Sequence, residues 1–92
     1  MANFVTKKDG TKVSFDPEKI KASVVAAALD AELSNDEASN IAEEVFNLVS
    51  AAFEGQEEVS SSEIAAKIVS ELEISAPLVA EAWKKYEETK GQ

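Results

Sequence analysis

With 92 residues, nine lysines, eighteen acidic residues and a net charge of −9, the chain is long enough for one modest core and too short for separate substrate and cofactor lobes. It contains no Cys, His or Arg, which removes disulfides, thiolate and imidazole metal sites, histidine or cysteine catalysis and guanidinium clamps on phosphate. The acidic balance argues against binding to a nucleic-acid backbone, and no leader or membrane-spanning apolar run is evident. The expectation is therefore a single cytoplasmic domain over residues 1–92 that is not an enzyme.

In chain order, two short β-like runs, Asn3 to Lys7 and Lys12 to Phe15, flank Asp9-Gly10. A glycine there tolerates φ > 0 and closes a hairpin over residues 3–15. Asp16 can then accept hydrogen bonds from the first N–H groups of a helix opened by Pro17.

This junction also gathers positive charge. Residues 1–21 hold five lysines against three acids, a balance of +2, whereas the remainder holds four lysines against fifteen acids, or −11. Two readings stand: lysines as ordinary solvated protection of a hairpin edge, or a seat for a compact polyanion such as a nucleoside triphosphate.

The first helix is predicted over about 17–31, with Ile20, Val24, Ala27 and Ala28 inward. Ser34 and Glu37 form a capping box that opens a second helix over about 35–54. Its apolar face carries Ala38, Ile41, Ala42, Val45, Leu48, Val49 and Ala52, with Phe46 and Phe53 flanking, and Gly55 closes it. Gln56 to Val59 reads as a polar connection. A second capping box, Ser60 with Glu63, starts a third helix over about 61–73, with Ile64, Ile68, Val69 and Leu72 inward. A fourth, over about 76–89, follows Ser75 and Pro77. Val79, Ala82, Trp83 and Tyr86 form its apolar face, and Glu81, Lys84, Lys85, Glu87 and Glu88 point mostly outward. The fold class is α+β, mostly α: an N-terminal β-hairpin followed by a four-helix bundle.

Taken together, Val5-x-Lys7-Lys8-Asp9-Gly10, Phe15-Asp16-x-x-Lys19-Ile20, Val59-x-x-x-Glu63-Ile64 and Val79-Ala80-x-Ala82-Trp83-x-x-Tyr86 resemble the ATP-cone domain. That domain is found at the N-terminus of ribonucleotide reductase large subunits and in the transcriptional repressor of reductase genes. The likeness runs in register over essentially the whole chain.

The resemblance implies a regulatory site for ATP or dATP, with Mg²⁺, between the hairpin and the helices. By position, Lys7 and Lys8 look like the phosphate-contacting basic pair, and Val5 and Gly10 like backbone and packing positions of the lid. Asp16 and Lys19 are similar in place to residues that contact base or ribose. Ser61 resembles a hydroxyl-bearing position at the third helix start, and Lys90 a basic position late in the fourth. The pattern differs at three points: Lys7-Lys8 for Lys-Arg, Trp83 for Tyr, and Glu87 for an Arg after Tyr86.

The implied function is nucleotide sensing that changes assembly or partner binding, the partner being a ribonucleotide reductase, another protein or a second copy. The alternative is a cone-fold protein–protein interaction module that has lost nucleotide binding. A nucleotide hydrolase is disfavoured, because there is no Gly-x-x-x-x-Gly-Lys-Ser/Thr loop and no His or Arg to assist transfer.

Overall fold

The computed structural model describes residues 3–90. In chain order the elements are β1 (Phe4–Thr6), β2 (Lys12–Ser14), α1 (Pro17–Asp30), α2 (Asn35–Ala52), β3 (Glu58–Ser60), α3 (Ser61–Ser75) and α4 (Pro77–Lys90). The α+β, mostly helical character expected from sequence is present, and the hairpin proves to be part of a larger sheet.

The sheet has the order β2-β1-β3. β1 pairs antiparallel with β2, Val5 opposite Val13, and parallel with β3, Val5 opposite Val59. Because side chains alternate along a strand, this register turns Val5, Val13 and Val59 to the helices. Phe4, Thr6, Lys12 and Glu58 share the outer face. There the Glu58 carboxylate accepts from the Thr6 hydroxyl and pairs with Lys12 at 3.1 Å. β3 corrects the reading of Gln56 to Val59 as a plain connection.

The hairpin turn also differs in detail. The Gly10 N–H donates to the Lys7 carbonyl at 2.9 Å, so Lys8 and Asp9 are its central pair. Gly10 follows with φ +89°, as in hairpins that end a turn with one left-handed residue. Asp9 Oδ1 accepts from the Thr11 N–H at 2.9 Å.

Three of the four predicted helix starts are present with their caps, whereas Ser75, read as announcing the fourth, ends α3 and donates its hydroxyl to the Glu71 carbonyl at 3.0 Å. Asp16 accepts from the Glu18 N–H at 3.0 Å. Reciprocal capping boxes join Ser34 to Glu37 and Ser60 to Glu63. α1 ends in a Schellman motif, with the Leu33 N–H on the Ala28 carbonyl at 3.0 Å and the Glu32 N–H on the Leu29 carbonyl at 2.9 Å. α2 stops at Ala52, two residues before the expected end, and Gly55 takes a left-handed φ of +86°.

Helix α1 packs on α2 and α4, and α3 on α4 and α2. The core is built of small and branched residues, including Val24, Ala27, Ala28, Val45, Val49, Val59, Leu72 and Val79, all at most 2% exposed. Alanine at 27, 28, 38 and 42 lets the helices approach closely. Two expected faces are rotated. On α2, Leu48 is 40% exposed and Ala52 is also exposed. On α4 the buried residues are Val79, Ala80 and Trp83, whereas Tyr86 is 39% exposed. That rotation carries Glu87, one turn beyond Trp83, to a half-buried position and corrects its assignment to the outer face.

Candidate functional site

A cleft of ≈ 280 Å³ opens between the sheet and the helices. The hairpin contributes Val5, Lys7, Val13 and Ser14, and Phe15 leads into α1. The cap and first two turns of α1 add Asp16, Lys19, Ile20 and Ser23. The facing wall is α3, through Ser61, Ile64, Ala65 and Ile68, and α4 contributes Trp83 and Glu87.

Local structure explains why these groups meet. β1 carries Val5 to the cleft, and Lys7 follows one residue past the strand's end. Residues 16, 19, 20 and 23 fall on one face of α1 by 3/4 spacing. β3 runs without a break into α3, since Ser60 is both the last strand residue and the helix cap. Ser61 is thereby placed at the helix start. Such starts leave N–H groups without intrahelical acceptors and carry partial positive charge.

Trp83 is 4% exposed, and its indole N–H donates to Ser23 Oγ at 3.1 Å. Ser23 Oγ–H in turn donates to the Ile20 carbonyl at 2.8 Å. This chain fixes the indole against α1, so Trp83 acts as packed cleft wall.

Of the eight expected site residues, Val5, Lys7, Asp16, Lys19 and Ser61 line the cleft. Lys8 and Gly10 lie in the adjoining turn and do not. Lys8 instead borders a second groove with Glu81, Lys84, Lys85 and Glu88 along α4. The Lys90 side chain lies outside the described residues. Two further lysines of the basic N-terminal segment are engaged elsewhere: Lys12 with Glu58 at 3.1 Å and Lys21 with Glu43 at 3.1 Å. Lys21 also lies 4.9 Å from the Phe46 ring centroid.

Sequence reasoning missed Val13, Ser14, Phe15, Ile20, Ser23, Ile64, Ala65, Ile68 and Glu87 as cleft residues. The i, i+4, i+8 series Val79, Trp83, Glu87 was a usable signal, obscured because its third member is charged. Val13, Ser14 and Phe15 read from sequence as strand and Ile20, Ile64 and Ile68 as core, while Ser23 and Ala65 carry no local signal.

The chemistry is that of a mixed pocket with an apolar base. Two lysines and a helix start offer donors and positive field, while Asp16 and Glu87 supply two carboxylates. Asp16 is committed to capping α1. Among the described residues, no cluster of three or more acidic side chains forms a protein metal site. No described helix is long and apolar enough to cross a membrane.

Two lysines, two carboxylates and a helix start thus meet at one cleft of a small fold. Residues 3–91 match the ATP cone domain, and the chain belongs to that family. No curated protein matches the chain. Family membership places it among regulatory domains that bind adenine nucleotides, and the domain's role is regulatory rather than catalytic.

Proposed function

We propose that the chain binds ATP or dATP in the cleft beneath the hairpin and that occupancy alters its association with a protein partner or with a second copy. The observation that carries this reading is the meeting of Lys7, Lys19 and Ser61, from three separate elements, in one cleft. Lys7 and Lys19 act as point charges for phosphate. The Ser61 hydroxyl and the α3 start supply directional donors, and Asp16 offers an acceptor to base or ribose. Val5 packs against the ligand, and Gly10 keeps the turn compact. Lys8 contributes field from just outside.

At ≈ 280 Å³ the cleft is at the small end of ligand sites, about 300–1,000 Å³. Part of a nucleotide must therefore extend past its rim. Mg²⁺ would be held mainly through the phosphates, which suits its preference for a few anionic oxygens and retained waters.

The competing reading is a cone fold that binds protein without nucleotide. Its support is the presence of two carboxylates, Asp16 and Glu87, inside the cleft.

Amide chemical-shift titration with ATP, dATP and GTP, with and without Mg²⁺, separates the two. The expected result is saturable shifts at Val5 to Lys21 and at the start of α3. By calorimetry, Lys7→Ala and Lys19→Ala should each weaken ATP binding by roughly tenfold, a loss typical of one charge-assisted contact. Lys8→Ala should weaken it less. An absence of shifts at millimolar nucleotide would favour the protein-binding module.

A further inference from the structure

Glu87 occupies an unusual position for a carboxylate beside a nucleotide cleft. It sits half-buried on the inward stripe of α4, lines the same cleft as Lys7 and Lys19, and also borders the groove that holds Lys8. Lys84, one turn before it on α4, pairs instead with Glu73 and Glu81. The other cleft carboxylate, Asp16, is held by the first turn of α1. Glu87 therefore sets a carboxylate where an anion would enter.

We propose that Glu87 is a specificity-determining residue that grades nucleotides by charge, shifting preference from the free triphosphate towards its divalent-cation chelate. The proposal rests on the nucleotide-binding reading above. Coulomb energy scales with the product of the charges, so a fixed carboxylate opposes a free triphosphate, with about four negative charges, twice as strongly as its Mg²⁺ chelate, with about two. Partial burial limits the screening by salt. The attraction of the two cleft lysines scales in the same way, so Glu87 offsets part of it, and the chain has no arginine to add a fork of donors. The penalty follows the ligand's charge and is indifferent to which base it carries.

Glu87→Gln keeps the shape and removes the charge. Calorimetry at matched ionic strength should compare parent and variant with ATP, ADP and AMP, in a chelator and again with excess Mg²⁺. The amide spectrum serves as a check that the fold is retained. The expected pattern is a gain of about tenfold for free ATP, less for ADP, least for AMP, and about threefold for the ATP–Mg²⁺ chelate. Unchanged affinities, or one equal change for every ligand, would overturn the charge assignment while leaving nucleotide binding standing. The second pattern would mark Glu87 as a hydrogen-bond partner of base or sugar. If neither protein binds any nucleotide, the nucleotide reading itself fails and this proposal falls with it.

Discussion

Ser23 is the buried polar residue on which the wall of the cleft depends. It is 9% exposed, accepts from the Trp83 indole at 3.1 Å and donates to the Ile20 carbonyl at 2.8 Å. Burying an indole N–H without an acceptor costs free energy that its packing must offset. Ser23→Ala should therefore lower stability by about 1–3 kcal/mol, read as a fall in the urea midpoint with an unchanged slope. A loss under about half a kcal/mol would show that the indole finds another acceptor. This contact was not legible in the sequence. A serine within an alanine-rich helix has no local mark of burial, and its partner is 60 positions away.

At the scale of elements, what could be read was what neighbours in sequence decide. The two capping boxes and the Asp16 cap each lie within three residues, and all were visible before the fold. β3 was not. Glu58, Val59 and Ser60 have too little alternation to announce a strand, and their extended form comes from pairing with β1.

The end of α1 was equally hidden, because its left-handed position is filled by Glu32, with φ +68°. The usual glycine is absent. A side chain in that region costs roughly 1–2 kcal/mol, and a carboxylate beside the negative end of a helix adds to it. Glu32→Gly should accordingly raise the melting temperature, by an amount corresponding to about 1 kcal/mol. An unchanged or lower melting temperature would mean that Glu32 makes a compensating contribution.

The sheet has its own pH signature. Hydrogen bonds from Thr6 and then Lys12 hold the Glu58 carboxyl below its ordinary range. A carboxyl whose folded pKa is depressed contributes stability above its unfolded pKa and loses it as pH falls through the folded value. Glu58→Gln should thus make the decline in stability below about pH 4.5 shallower, as followed by denaturation at successive pH values. A parallel decline in parent and variant would remove Glu58 from the acid response.

For the whole molecule, the broad charge division seen in the sequence was an incomplete guide to the cleft. Of the five N-terminal lysines, Lys12 and Lys21 neutralise acids on the outer sheet and on α2. Lys7 and Lys19 remain at the cleft. Composition could not sort them, because the sorting depends on strand register and on which side of α1 faces α2. The rotation of α4 was likewise undecided. Stripes 78/82/86 and 79/83/87 differ by one position, and the second contains a charge, so hydrophobicity alone favoured the wrong assignment for Glu87.

The parallel pairing of β1 with β3 has a consequence in time. Thr6 and Glu58 stand 52 positions apart, so closing that ladder requires a long loop to be ordered first, a slow kind of contact. On a ribosome, where the N-terminus emerges first, β1 can fold back on β2 at once but must wait for most of the chain before its other edge is covered. Trp83 and Glu87 arrive later still. The cleft is therefore among the last features to form, and a nascent chain halted before β3 would present an open strand edge in place of a binding site.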